Sequence, residues 1–465
     1  LEFKTPRPGR SLARGQPHGY HYEVSFNIPL AQPTRIGSRT FRWGRRTYVM
    51  GILNVTPDSF SGDGLGGDIG AAIAQAERMA AEGADIIDVG GESTRPGAPE
   101  VSAAEEISRV VPVIERLKAA IDLPVSIDSY KAEVAEAAVT AGASLLNDVW
   151  GLKRDARLAD VAARRGLPIV ISSSQRDAPA ADIMTAVLDS LRWAIGRAAE
   201  AGVARENIIL DPGFGFGKTV EQNVEALRRL DELRAFGRPV LLGTSRKSTI
   251  GKVLGDAPPQ ERLFGTVATT AIGIMNGADI VRVHDVKENV QAARMADAVA
   301  RGVTVYLGLG SNLGDRKRNL ALAAEAVSRD LHVNQLSPVY ETEPWNVAPQ
   351  PRFLNMAIEA QTTLSPSDLL DYVKNLERML GRAAAGPGQP RVIDIDILLY
   401  GDQVLDTPAL TLPHPRLAQR AFNLVPLNDL DPELKHPATG RTAAEMLSAL
   451  GQIRGVAPYP ENTPD

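Results

Sequence analysis

Side chains able to do chemistry recur in this chain at one kind of place, directly after a short apolar run. Asn54, Asp128, Asn147-Asp148, Asp211 and His284-Asp285 each follow such a run. So do the stretches Gly90-Gly91-Glu92-Ser93-Thr94-Arg95, Ser172-Ser173-Ser174 and Thr244-Ser245-Arg246-Lys247-Ser248, and Arg282 lies inside the last run. Arg246, Lys247, Arg282 and His284 form a local set of cations in a chain of formal net charge -5, so an anionic substrate can be held against the global sign. A second pattern is Asp394-Ile395-Asp396-Ile397. On a strand, residues i and i+2 share a face about 7 Å apart. Two carboxylates facing one cleft suit Mg²⁺ ions on a nucleoside triphosphate, and Ile395 and Ile397 then turn the other way, into a core.

Eight apolar runs carry the first set: Tyr48–Leu53, Asp85–Val89, Pro124–Ile127, Ser144–Leu146, Pro168–Ile171, Ile208–Leu210, Pro239–Leu242 and Asp279–Val283. Strands buried on both faces of a parallel sheet read as such continuous stretches. Segments 69–82, 102–119, 131–141, 156–165, 182–201, 220–235, 260–276 and 286–300 repeat apolar residues at helical spacing. Strand and helix alternating eight times over roughly 250 residues predict a (β/α)8 TIM barrel, whose strand ends converge on one mouth where catalytic groups gather. The organisation restarts at Arg301-Gly302. A strand over Val303–Leu307, a loop over 308–314, a helix over 316–328, strands near Val333–Glu341, Leu354–Thr362 and Val392–Tyr400, and a helix over 365–380 predict a smaller α+β, ferredoxin-like domain. The class is therefore α/β, with an N-terminal extension over 1–40, the barrel over 41–302 and the second domain over 303–465. Almost no linker separates the two domains, so they should pack together.

Composition narrows the chemistry. The mildly acidic balance argues against a nucleic-acid protein, which would carry a basic surface. With no cysteine, disulfides, thiol nucleophiles and cysteine zinc sites are excluded. Six histidines are too few for a histidine-rich cluster, which leaves a hard, oxygen-ligated metal such as Mg²⁺. No run of about 18 apolar residues offers a membrane span. No secretory signal pattern opens the chain, so a cytoplasmic enzyme is expected. Two glycine motifs are false leads. Gly213-Phe214-Gly215-Phe216-Gly217-Lys218-Thr219 is one residue short of a P-loop, and Gly308-Leu309-Gly310-Ser311-Asn312-Leu313-Gly314 places its third glycine one residue late for a dinucleotide fingerprint.

The stretches Met50–Ser61, Asp88–Gly97, Gly243–Ser248 and Val281–Asp285 together resemble dihydropteroate synthase, over about Tyr48 to Ala300. That family joins p-aminobenzoate to a dihydropterin with loss of pyrophosphate. The resemblance implies a pterin pocket of Asp128, Asn147, Asp211 and Lys247, with Asp128, Asp211, Lys247, Arg282 and His284 as the catalytic set. It implies a pyrophosphate side of Asn54, Thr94, Arg282 and His284, with Mg²⁺ near Asn54. It places Arg95, Pro96 and Ser248 on the p-aminobenzoate side and adds Phe216 to the substrate-binding residues. Loops 56–67 and 93–99 should close over substrate, and a homodimer through the barrel is the family habit. Where that family usually carries a Met-His run after the fifth strand, this chain has Ser172-Ser173-Ser174.

The C-terminal set, from about Val303 to Glu433, resembles hydroxymethyl-dihydropterin pyrophosphokinase, which moves pyrophosphate from ATP to a pterin. The resemblance implies a pterin site of Thr342, Pro344, Phe353, Asn355 and Phe422. It implies ATP contacts by Glu377, Arg382, Arg391, His414 and Arg420, and Mg²⁺ at Asp394 and Asp396. The loop 381–391 holds fewer Arg than is usual there, and Glu343 and Trp345 also differ from the common pattern; slower turnover or weaker ATP binding is expected. The second activity would make the diphosphate that the first consumes. The small-molecule partners are thus dihydropterin, p-aminobenzoate and ATP. A synthase with a degenerate C-terminal scaffold is one alternative. A methyltetrahydrofolate methyltransferase barrel is another, against which the Ser93-Thr94-Arg95-Pro96 loop and Ser245-Arg246-Lys247-Ser248 both speak.

Overall fold

The computed structural model describes residues 30–56, 68–93, 99–176, 181–344, 349–382, 388–453 and 455–460. Strands β1 (Thr34–Ile36) and β2 (Arg39–Phe41) form a hairpin. Eight parallel strands follow: β3 (Tyr48–Asn54), β4 (Ile86–Gly90), β5 (Val125–Asp128), β6 (Leu145–Asp148), β7 (Ile169–Ser172), β8 (Ile208–Asp211), β9 (Leu241–Leu242) and β10 (Ile280–Val283). They run in one sheet in chain order, β10 lying between β3 and β9. The ring closes at a parallel bridge between Leu210 and Val240, where Leu210 N–H donates to Pro239 O at 2.9 Å.

The local sequence explains the elements. Asp68 and Ser102 cap the helices Ile69–Glu82 and Ala103–Ala120 through their side-chain oxygens, and Gly83 ends the first of these at φ 104°. The outward strand side chains pack against the surrounding helices. An inward layer of Met50, Ile86, Leu145, Val170, Ile209, Leu241 and Ile280 fills the barrel, and Ile36, Phe41 and Trp43 of the hairpin region close it from below. The floor thus uses residues from Thr34 onward, so part of the expected extension over 1–40 belongs to the barrel. One expected helical segment is broken and one short helix is added. Val220–Arg228 is followed by a 3-10 turn Leu230–Phe236, and a short helix Ser248–Val253 precedes Leu263–Met275.

The second domain is an antiparallel sheet of β11 (Val303–Ser311), β12 (His332–Leu336), β13 (Tyr340–Thr342), β14 (Phe353–Thr362) and β15 (Asp394–Tyr400), with Val456–Pro458 beside β13. The order β15-β11-β14, with β12 also on β14, and helices Arg316–Asp330 and Pro366–Met379 between strands give a split β-α-β arrangement. Period-two alternation sorts its two faces. Val305, Leu307, Leu309, Met356, Ile358, Ile395 and Ile397 enter a core with the two helices. Gly308, Gly310, Asn355, Asp394 and Asp396 alternate with them and belong to the other face. Two expectations are corrected here. Residues 308–311 are strand rather than loop, because Gly310 lets Asn355 of β14 approach, its Oδ1 lying 2.7 Å from where a Cβ would stand. The expected strand 333–341 is two strands, broken at Ser337, whose Oγ takes the Ala357 N–H at 2.9 Å.

The domains pack through the closed end of the barrel. Arg45, just before β3, donates from Nε to Glu359 at 2.7 Å and from Nη1 to Asp431 at 2.8 Å. Arg42 donates to Leu430 O at 3.0 Å. Arg301 is buried at the junction, with Nη1 on Gly44 O at 2.8 Å and Nη2 on Ala278 O at 3.1 Å.

Candidate active site

At the barrel mouth, strand ends deliver a polar network into a packed surround. Arg282 of β10 donates from Nε to Asp88 at 2.6 Å and from Nη2 to Asp128 at 2.6 Å. Asn147 donates to the same Asp88 oxygen at 2.9 Å. Asp88 is fully buried, and donors from β10 and β6, each two strands away around the barrel, answer its charge. Burial pushes Asp128 up to about 7, although Arg282 beside it pulls the other way. Asn54 closes β3 next to this group, flanking Gly90 from one side while Asp128 flanks it from the other. Asp88 was not singled out from the sequence. Its signal was present, as a carboxylate inside an apolar run rather than after one.

Asp211 ends β8 with both oxygens engaged. Oδ1 accepts the Gly213 N–H at 2.7 Å, and Oδ2 accepts the Ser172 hydroxyl at 3.1 Å. Ser172, the first of the serine run, therefore braces this carboxylate. Lys247 donates to Phe214 O, and its ammonium lies 4.3 Å from the centre of the Phe216 ring. Burial lowers Lys247 to about 8 against the attraction of Asp211. Lys218, also missed, bonds Ser173 O at 3.0 Å and Gly213 O at 2.9 Å, and burial takes it to about 7. On the opposite side, Ser245 Oγ bonds His284 Nδ1 at 2.8 Å and accepts the His284 N–H at 3.1 Å. Arg246, at φ 54°, reaches Asp285 with Nε at 3.0 Å, which locks the loops after β9 and β10 together. Ser248 opens the helix that follows Lys247 and is exposed. Thr94, Arg95 and Pro96, and the parts of the expected lids at 57–67 and 94–98, lie outside the described residues.

In the second domain, Asp394 and Asp396 stand on β15, an edge strand. Arg382 reaches Asp394 at 2.7 Å and Arg391 reaches it at 2.8 Å. Burial opposes the charge on Asp394, yet the two guanidiniums hold it below the ordinary carboxylate range. Burial, then Asp394, pushes Asp396 up to about 6, and Arg420 is 3.6 Å away. His414 lies 3.9 Å from Asp396. Burial and Arg420 lower His414 to about 4, so it is neutral near pH 7 and no ion pair forms there. Glu377, buried, accepts the outward Ile395 N–H of the edge strand at 2.7 Å and pairs with Arg382. It braces β15 from its outer edge.

The residues expected on the pterin side lie on or just after β13, on β14 and on a C-terminal helix. Asn355 Nδ2 donates to Thr342 at 2.6 Å between β13 and β14. Phe353 begins β14 beside Gly310, and Pro344 follows β13. Phe422 belongs to the helix Ala421–Leu430 with Arg420 5.3 Å from its ring. Asn312, quoted in the sequence motif without a role, accepts the Arg391 N–H at 2.7 Å and so ties the end of β11 to the loop before β15. A cavity of about 200 Å³ beside Asp396 is lined by Lys374, Ile397, Leu410, Thr411 and His414 among others. Trp345 and residues 383–387 lie outside the described residues.

The carboxylate pair fits Mg²⁺. Its oxygens are hard, and this ion takes most of its ligands from water and substrate phosphates rather than from a protein cage. Among the described residues no group of three or more His, Asp or Glu could hold a metal alone.

A barrel mouth pairing buried carboxylates with cations is joined to a sheet whose edge strand sets two carboxylates among arginines, so one chain carries two separate polar sites. Two family models match the chain: pterin binding enzyme over residues 50–284, and 7,8-dihydro-6-hydroxymethylpterin-pyrophosphokinase over residues 306–432. The dihydropteroate synthase of Clostridium beijerinckii is 55% identical over 268 residues, which cover 57% of this chain and 99% of that relative. The Bacillus subtilis synthase is 50% identical over 263 residues, covering 57% and 92%. Among solved structures, the Yersinia pestis synthase with a sulfonamide drug complex is 43% identical at TM-score 0.55, covering 58% of this chain and 99% of that one. The Xanthomonas albilineans synthase with 4-aminobenzoic acid is 44% identical at TM-score 0.53, covering 56% and 94%. The chain belongs to the dihydropteroate synthases of the pterin-binding enzyme family and carries, fused behind the barrel, a hydroxymethyl-dihydropterin pyrophosphokinase domain.

Proposed function

We propose that the chain runs two consecutive steps of folate synthesis, with the following residues in the following roles. In the second domain, Arg382, Arg391, His414 and Arg420 hold ATP, and Glu377 acts by orienting Arg382 and β15. Asp394 and Asp396 would hold Mg²⁺, which neutralises phosphate charge when bound. Thr342, Pro344, Phe353, Asn355 and Phe422 line the pterin site. Transfer then rests on aligning the pterin hydroxyl with the β-phosphorus of ATP, and AMP departs.

In the barrel, Asp211 and Asp128 accept the paired N–H groups of the pterin edge, a charge-assisted arrangement, with Asn147 beside them. The amine of p-aminobenzoate attacks the pterin methylene carbon as its bond to the diphosphate oxygen breaks. Arg282 and His284 stabilise the departing anion. Arg282 spends Nε and Nη2 on Asp88 and Asp128, which fixes the guanidinium plane and leaves Nη1 for phosphate. Asn54 and Thr94 join that side, with Mg²⁺ near Asn54; Arg95, Pro96, Phe216 and Ser248 take the p-aminobenzoate.

The observation that carries this reading is the convergence of Asp88, Asp128, Asn147 and Arg282 from four strands into one hydrogen-bonded group. The test is assay of each half in the intact chain. Asp211→Asn or Lys247→Ala should cripple dihydropteroate formation with AMP release unchanged, and Asp396→Ala should do the reverse. A normal synthase rate in either barrel variant refutes the assignment.

The outer face of helices Leu263–Met275 and Val286–Ala300 supports the reading of a homodimer through the barrel. Phe264 is 83% exposed there and Met295 67%, with Ile272, Met275 and Val299 also exposed. An apolar patch of this kind suits a self-complementary contact. Sedimentation should show a dimer that Phe264→Glu dissociates, and a monomeric parent would refute it. No helix of the described residues is long and apolar enough to cross a membrane, and a cytoplasmic site fits the expected substrates.

A further inference from the structure

Two residues of the mouth with no part in the roles above, Trp150 and Arg176, join Phe216 and Lys247 in a stack of alternating cations and rings along its rim. Arg176, in the loop after β7, lies with its guanidinium carbon 4.3 Å from the Trp150 ring centre and 4.2 Å from the Phe216 ring centre. Trp150 comes from the loop after β6 and Phe216 from the loop after β8. The series continues in both directions, with Arg154 4.3 Å from Trp150 and the Lys247 ammonium 4.3 Å from Phe216. Backbone contacts join the same loops. Gln175 N–H donates to Phe216 O at 3.1 Å, and Lys153 donates to Ser174 O at 2.7 Å. Gly217, at φ 72°, has the Gln175 carbonyl carbon 2.3 Å from where a Cβ would sit, so the two loops touch through main chain.

We infer that Arg176 is a positioning residue of the synthase site: held between Trp150 and Phe216, it fixes the ring against which Lys247 rests. A guanidinium is suited to this, because it is planar, always charged and weakly hydrated, and stacks on aromatic faces. A loop built from Phe216 alone would leave that ring free to turn. With Arg176 on it, Phe216 sets where the four-carbon stem of Lys247 can go. The stack also adds positive charge to the pocket. Around Lys247, Asp211 and Asp128 favour the ammonium, whereas Arg282, Arg176 and Lys218 oppose it. Removing Arg176 therefore moves Lys247 upward from about 8.

The inference rests on the synthase reading, and the test keeps the two apart. Arg176→Met, Arg176→Lys and Trp150→Leu are made in the full chain, with an unchanged urea transition of the barrel as the check that each is folded. For Arg176→Met the KM for pterin diphosphate or p-aminobenzoate should rise about tenfold, the size of one well-placed cation–aromatic contact. The alkaline limb of synthase activity should move to higher pH. Arg176→Lys should restore the limb and most of the KM, and Trp150→Leu should raise KM with the limb in place. A merely structural role would lower activity without shifting the limb or responding to lysine. Wild-type KM and an unmoved limb in Arg176→Met overturn the inference. A parent chain that makes no dihydropteroate overturns the synthase reading, and this inference with it.

Discussion

Asp88 is the most constrained single residue of the mouth. It is fully buried, and its charge is met by Arg282 and Asn147. Asp88→Asn removes half of the charge that orients Arg282. Losing one partner of a buried hydrogen-bonded ion pair costs about 3–5 kcal/mol where nothing relaxes. The expected result is a synthase kcat/KM at least about tenfold lower, since even 1.4 kcal/mol of lost transition-state binding is a factor of ten. AMP release should be unchanged, and wild-type synthase kinetics would contradict the role given to this network. The pH profile tests two neighbours. Asp128 is raised to about 7, so its carboxylate is lost as pH falls through that value; Lys247 is lowered to about 8, so its ammonium is lost as pH rises through that value. If both charged forms are required, kcat/KM for the free enzyme peaks between the two values and declines on either side. Lys247→Arg keeps the charge at every accessible pH and should remove the alkaline decline. A decline that persists in that variant would assign it to another group.

At the scale of elements, the loop that carries Phe216 is held by glycines that admit no side chain. Gly213 and Gly217 have φ of 71° and 72°, and a Cβ would lie 1.9 Å from Ser173 O and 2.3 Å from the Gln175 carbonyl carbon respectively. Gly217→Ala combines a left-handed backbone with a backbone collision. It should destabilise the barrel by about 1–3 kcal/mol and raise the synthase KM, as read from urea unfolding and kinetics. An unchanged midpoint would mean that the two loops move apart freely. The same scale decides what could be read in advance. The eight barrel strands were legible because each is a continuous apolar run ending in a polar residue, and Asn54, Asp128, Asn147, Asp211 and Lys247 were found by that punctuation. Asp88 escaped because it faces inward from the middle of its run, where periodicity alone marks core. Trp150, Arg176 and Lys218 escaped because their partners come from loops distant in sequence. Glu377 was expected among the ATP contacts from the resemblance alone, and its place as the partner of an edge-strand N–H was not legible. That role depends on β15 being an edge, which only tertiary structure reveals. The break after β12 falls at Ser337-Pro338, where proline has no N–H to give the ladder, a signal that the expected strand 333–341 passed over.

At the scale of the whole molecule, the kinase domain docks on the closed end of the barrel. Arg45 joins Glu359, which is fully buried on β14, and Asp431. Burial opposes the charge on Arg45, but Glu359 more than compensates and raises its pKa. Arg45→Ala would strand a buried carboxylate, a loss of about 3–5 kcal/mol. The kinase domain should then unfold at lower urea than the barrel, giving two transitions where the parent gives fewer. Coincident transitions in the variant would show that the clamp is not what couples the domains. The tight junction fits the near absence of linker in the sequence, and Arg301, the last residue before Gly302, is itself buried in it. The central claim is that one chain both makes and consumes the same diphosphate. Its most direct test is product analysis of the purified full chain with hydroxymethyl-dihydropterin, ATP, Mg²⁺ and p-aminobenzoate. AMP and dihydropteroate should accumulate in equal amounts at steady state, both dependent on ATP. Dihydropteroate formed only when the diphosphate is supplied ready-made, with no AMP released, would contradict the claim.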